Sequence, residues 1–162
     1  MSAVISPCGL YRYQLERTYD ITLMPKGAPL VWMMANPSTA DAENDDPTIR
    51  KCRGFSERLG YDRFIVINVM AGRATKPKDL LAMSDPVGPM NGFNIRQACL
   101  RANTLICAWG NAIHPKLRHH MGTALQSISG PTALMCFGYT ADRQPRHPLM
   151  LSYSTPLEFY KP

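Results

Sequence analysis

Short apolar runs alternate with polar clusters along this chain. The runs are LVWMMA (30–35), RFIVI (63–67), TLICAW (104–109) and TALMCF (132–137). Uninterrupted apolar runs of this length read as strands buried on both faces, the usual condition in a parallel sheet. Helical signals fill the gaps. Asp46 suits an N-cap, Pro47 the first helical position and Gly60 the C-terminal cap. Between them Ile49, Cys52, Phe55 (or Ser56) and Leu59 recur at helical spacing. KPKDLLAM predicts a short helix, FNIRQACLRA (93–102) an amphipathic one, and HPKLRHHMGTALQSI (114–128) a third with Pro near its start. Residues 8–23 alternate in places and read as two short strands, a hairpin at the sheet edge. PKGAP (25–29) is a turn, SDPVGPMNG (84–92) a surface excursion, and the tail a short final segment. Strand and helix thus repeat about four times, which predicts a three-layer α/β/α sandwich around a mostly parallel, four-stranded sheet. Residues 1–162 are read as one α/β domain.

The polar clusters gain meaning from that order. In an open parallel α/β sheet, the ligand crevice lies beyond the carboxyl ends of the strands. The clusters ANPSTADAENDDPTIR (35–50), INVMAGRAT (67–75), AWGN (108–111) and GYTADRQPRHPL (138–149) each follow a strand, so they are expected to build one pocket. In the first, Pro37 ends the strand at Asn36. Ser38 and Thr39 offer hydroxyls; Asp41, Asp45 and Asp46 offer carboxylates. Asp46 is either a helix cap or a pocket acid, and Asp41 and Asp45 are either pocket groups or solvated. The helix starting at Pro47 brings its positive end to the same place. In the second, Asn68 ends an apolar strand with a side chain that both donates and accepts, which suits a nucleobase edge, unless backbone groups satisfy it. Arg73 is a phosphate ligand or simply exposed. In the third, Gly110 permits close approach of a ligand, while Trp109 stacks on it or fills the core. In the fourth, His147 lies on a loop, where it serves as a general acid or hydrogen-bond donor or else is solvated. Arg146 precedes it, and Leu149 follows as a wedge for a base stack or as core.

Composition changes this picture only a little. The net charge of +6, from 18 Lys and Arg against 12 Asp and Glu, modestly favours a polyanionic partner. Five cysteines stand at positions 8, 52, 99, 107 and 136, an odd number without any CxxC pair. That is a reduced, cytosolic pattern and argues against a disulfide scaffold or a zinc site. His114, His119 and His120 do not share one helix face and read as surface. No run is long enough to span a membrane, and the N-terminus lacks a signal-peptide pattern, so a cytoplasmic protein without membrane association is expected. No metal or cofactor is expected, and the chain is read as a monomer.

Two resemblances follow from these motifs. CGLYRY, NPSTADAENDDPTIR, NVMAGRAT, DPVGP, AWG and QPRHPLML together resemble a bacterial and phage family of unknown function, over nearly the whole chain. A phage-linked family suits a role in defence or modified-DNA metabolism. More distantly, the order of segments is similar to the uracil-DNA glycosylase superfamily. Its Asn-Pro or Asp-Pro turn after a strand matches Met34-Ala35-Asn36-Pro37, and its strand ending in Asn matches Ile65-Val66-Ile67-Asn68. Its strand ending in Trp-Gly matches Cys107-Ala108-Trp109-Gly110, and its late His-Pro loop matches His147-Pro148-Leu149. The resemblance implies a glycosylase-like fold and excision of a modified base from DNA. Asn36 would position water or the sugar with help from Asp41 or Asp46, Asn68 would read the base, and His147 would stabilise its departure. Arg73 and Arg146 would hold phosphates. Two departures bear on this: Asn36 replaces an acid, and Leu149-Met150 replace the usual Ser-Pro. The alternatives are a DNA- or nucleotide-binding module of the same fold, and a hydrolase or transferase acting on a small nucleotide.

Overall fold

The four apolar runs become neighbouring strands because each has apolar partners above and below it. In the computed structural model, which describes residues 2–19, 27–38, 40, 44–74, 76–130 and 132–161, they form β3 (Leu30–Met34), β4 (Arg63–Asn68), β5 (Thr104–Cys107) and β6 (Ala133–Cys136). Side chains alternate across the sheet as the strand period demands. Val31, Met33, Ile65, Ile67, Leu105 and Cys107 face one core; Leu30, Trp32, Met34, Phe64, Val66 and Ile106 face the other. The first core is closed by helices α2 (Asn91–Leu100) and α3 (His119–Gln126), the second by helix α1 (Pro47–Arg58). Helices therefore pack on both faces of an α/β sheet.

The sheet itself differs from the four-stranded, mostly parallel one expected. It has seven described strands in the order β1-β2-β4-β3-β5-β6-β7, with β1 at Ser2–Ile5, β2 at Arg12–Thr18 and β7 at Glu158–Phe159. The pairings β4–β3, β3–β5 and β5–β6 are parallel; β1–β2, β2–β4 and β6–β7 are antiparallel. The extra strands are short or mixed in polarity, which is why no apolar run announces them. Among the described residues of 8–23 there is one strand, not the two expected: β2, which lies inside the sheet between β4 and β1, and β1 falls wholly before that span. KPKDLLAM contains a 3-10 helix at Pro77–Ala82, and the third helix is split into a 3-10 turn at Pro115–Leu117 followed by α3.

Helix α1 is held as its sequence suggests. The Asp46 side chain accepts the Ile49 N–H at 2.9 Å, Pro47 opens the helix and Gly60 closes it at φ +80°. Phe55 and Ser56 are both buried. Phe55 packs on Trp32 and Phe137, with ring centroids 6.2 and 4.4 Å away. Ser56 accepts the Trp32 indole N–H at 3.1 Å and donates to the Cys52 carbonyl. Each such aromatic pair adds about 1 kcal/mol beyond its burial. The tail joins the same cluster through Tyr153, 4.9 Å from Phe55 and seated on Gly54, where a Cβ would lie 2.4 Å from the Tyr153 hydroxyl. Lys51 and Arg58 stand over the Tyr153 ring at 4.0 and 4.1 Å. Among the described residues no helix is long and apolar enough to cross a membrane.

Candidate functional site

The carboxyl ends of β3 and β4 open into a cavity of about 140 Å³ on the α1 side of the sheet. Its polar lining is Arg12, Asn36, Ser38, Asp46, Thr48, Asn68 and His147; Met34, Val66 and Ile49 form apolar walls. Five residues expected in the pocket thus meet there: Asn36, Ser38, Asp46, Asn68 and His147. Thr39 and Asp41 lie outside the described residues.

Asn68 is the most unusual of them. Its register partner across the parallel pair is Met34, so both strand ends reach the cavity together. It is 1% exposed, and neither Oδ1 nor Nδ2 has a hydrogen-bond partner among the described residues. A buried, unmatched amide costs on the order of 1–3 kcal/mol. Its backbone, by contrast, is firmly held: Asn91 Nδ2 donates to the Asn68 and Val69 carbonyls at 3.1 and 3.0 Å.

Asn36 is arranged differently. Its Nδ2 donates to the Pro37 and Ala74 carbonyls, both at 2.9 Å. Those bonds tie the 36–37 turn to the segment after β4 and leave Oδ1 as the side chain's acceptor. Asp46 both caps α1 and lines the cavity, so the cap and pocket readings hold together. Asp45 is not solvated as one reading had it; it forms an ion pair with the buried Arg17 at 2.7 Å.

His147 is half-buried and caps a 3-10 turn, Pro148–Met150. Its Nδ1 accepts the Leu149 N–H at 3.3 Å, so the neutral ring carries its proton on Nε2. Burial lowers its pKa from the ordinary 6.5, against an opposing pull from Asp46. At neutral pH it is therefore an uncharged donor. Ser38, His147 and Asp46 on one cavity also suggest a nucleophilic triad. In such a triad the acid accepts the Nδ1–H of the histidine. Here Nδ1 is itself an acceptor and Asp46 Oδ1 is bonded to Ile49, so that arrangement is absent.

Five expected ligand contacts, Arg73, Trp109, Gly110, Arg146 and Leu149, sit elsewhere. Trp109 is 1% exposed within the α2–α3 core, donates to Gln144 Oε1 at 3.0 Å and meets Tyr160 edge-on. It belongs to the core because its ring lies on the opposite face of the sheet from the cavity. Gly110, at φ +57°, makes room for protein instead of ligand: a Cβ there would lie 3.0 Å from the His147 Cβ. Arg73 is exposed, donating to the Gly9 carbonyl at 3.3 Å, and Arg146 is exposed next to His147. Neither lines the cavity, though Ala74, beside Arg73, does. Leu149 and Met150 are 41% and 88% exposed, so neither fills the core. His120 is half-buried and lines a second cavity of about 30 Å³, a departure from the surface reading; His119 is exposed. No cluster of metal ligands occurs among the described residues.

Two cavity residues escape the sequence reading, Arg12 and Thr48. Thr48 follows Pro47 and needed only the recognition that the helix start lines the pocket. Arg12 lies in the CGLYRY motif but enters the cavity through a long-range pairing. Because β2 runs antiparallel to β4, its first residue stands where β4 ends, and the Arg12 N–H bonds the Ala71 carbonyl at 3.0 Å.

A family model described as a protein of unknown function (DUF1643) matches residues 12–149. The chain belongs to the DUF1643 family. The matched span begins at Arg12 and takes in every residue named on the cavity, so the site belongs to the part of the chain that defines DUF1643. No curated protein and no solved structure matches it.

Proposed function

We propose that this DUF1643 protein excises a modified base from DNA by breaking its N-glycosidic bond. One observation carries the reading: the buried, unmatched amide of Asn68 on a cavity it shares with His147 and Asn36. An amide with an open donor and an open acceptor complements a base edge, which offers the reverse pair. The neutral Nε2–H of His147 suits a base oxygen that gains charge as the bond breaks. Asn36 Oδ1 suits a water or the sugar. A volume of about 140 Å³ lies below the roughly 300–1,000 Å³ of sites for drug-sized ligands, which favours one small ring over a whole nucleotide. The exposed Arg73 and Arg146 suit backbone phosphates, and the exposed Leu149 suits the space a flipped base leaves. The parallel strands at the centre of the sheet, with helices on both faces, support a glycosylase-like fold in a single α/β domain.

One feature favours a second reading, a binding module of the same fold. Asn36 replaces a carboxylate and spends its Nδ2 on two carbonyls, which leaves water activation to Asp46 or to the water itself. The test uses wild type and His147→Ala on duplex and single-stranded DNA carrying uracil, hydroxymethylated or glucosylated bases, followed by alkali. Strand breaks with wild type and about 100-fold fewer with His147→Ala are expected. Salt-sensitive DNA binding without breaks on any substrate would replace excision with binding.

A further inference from the structure

Asn68 alone does not decide which base the cavity takes. Its amide offers a donor and an acceptor side by side, and a half-turn of the amide exchanges them. Presented one way, it matches a ring N–H beside an oxo group. Presented the other way, it matches a bare ring nitrogen beside an amine. Neither Oδ1 nor Nδ2 has a partner among the described residues, so no bond from those residues holds the amide to one order. The choice between an oxo base and an amino base therefore falls to another group on the lining.

Asp46 is suited to make it. It is the one carboxylate of the described lining. Its Oδ1 accepts the Ile49 N–H at 2.9 Å, and Oδ2 has no partner among the described residues. It comes from the start of α1, whereas Asn68 comes from the end of β4, so the two reach the cavity from different sides. Its charge is felt at His147, whose pKa it pulls upward against burial. An ionised carboxylate only accepts hydrogen bonds. An exocyclic amine carries two hydrogens that diverge in the plane of the ring. Asn68 Oδ1 takes one, and the other needs an acceptor from a second direction, the pairing that acidic side chains make with the amine of cytosine. An oxo group in the same place would set its lone pairs against a negative charge. Beside the apolar walls of Met34 and Ile49, that repulsion is stronger than in water.

We propose that the cavity takes a base bearing an exocyclic amine, and that Asp46 selects it by accepting the amine hydrogen that Asn68 leaves over. The inference rests on the excision reading and narrows its substrate. A cavity of about 140 Å³ favours one ring, so the class is a cytosine-type pyrimidine. Asp46 is then a specificity residue engaged by the base, and activation of water falls to the water itself.

Calorimetric titration of the whole protein with two matched pairs of free bases tests this: cytosine against uracil, and 5-hydroxymethylcytosine against 5-hydroxymethyluracil. Within a pair the amino base should bind about tenfold tighter. Asn and Ser cap a helix as well as Asp does, so the charge can be changed with the cap kept. Asp46→Ser should abolish the preference. Asp46→Asn, which can turn a donor toward the base, should reverse it. Should either variant fail to fold, the wild-type pairs decide alone. Equal affinities in wild type, a preference for the oxo base, or an amino preference that survives both variants would overturn selection by Asp46 while leaving base recognition in place. If none of the four bases binds wild type, base recognition falls and the selection falls with it.

Discussion

Asn68 and Asn91 are buried to the same degree at the same end of the sheet, each 1% exposed, and they differ at Nδ2, which is bonded in Asn91 and open in Asn68. On the α2–α3 side, Asn91 spends its Nδ2 on two carbonyls while its Oδ1 has no partner among the described residues, and the cavity beside it has room for about one water. On the α1 side, the side chain of Asn68 has no protein partner among the described residues, and its cavity is several times larger. One asparagine is part of the structure; the other is held in place by it. Asn91 fixes the backbone from which Asn68 projects. Buried polarity that is bonded within the fold contributes stability, whereas buried polarity left open costs stability.

Replacement of each residue should separate these roles. Asn91→Leu is expected to have the largest effect, a loss of about 2 kcal/mol in chemical denaturation, because two buried carbonyls lose their donor. Asn68→Leu should raise stability by about 1 kcal/mol while abolishing ligand binding, because an unmatched amide is replaced by an apolar group of similar size. If the two variants destabilise equally, Asn68 is a structural residue and the contrast fails. The smallest effect concerns His147 and pH. Burial holds its folded pKa below the ordinary 6.5, so as pH falls through that value the unfolded chain takes the proton first and stability is lost. Above it no such loss occurs. The stability of wild type relative to His147→Gln should therefore decline on acidification below that point and stay level above it; a level difference throughout would show that the ring is not desolvated.

Much of the site could be read from the chain because it depends on local patterns. Apolar runs locate the four parallel strands, and the polar residues that end them locate Asn36 and Asn68. The pair Asp46-Pro47 marks a helix start. What local pattern cannot convey is which face a strand-end residue takes and which distant segment meets it. Asn68 ends its strand, whereas Trp109 and Gly110 come just after theirs; Trp109 turns to the opposite face, and Gly110 accommodates His147 instead of a ligand. Arg12 has the reverse history. Its strand RYQLERT is polar enough to resemble surface, and it is buried where β2 pairs with β1 at Ile5 and meets the segment after β4 at Ala71. The β7 strand is too short to carry a periodicity.

The seat of Tyr153 on Gly54 has a kinetic consequence. The segment bearing His147 is fastened at both ends, by the Gly110 N–H on the Pro145 carbonyl at 2.8 Å and by Tyr153 clamped between two cations on α1. The histidine is thus in position before any ligand arrives. If the cavity binds a ligand as proposed, association at this side should require no ordering of the His147 segment, and discrimination between ligands is expected to fall mainly on how fast each one leaves.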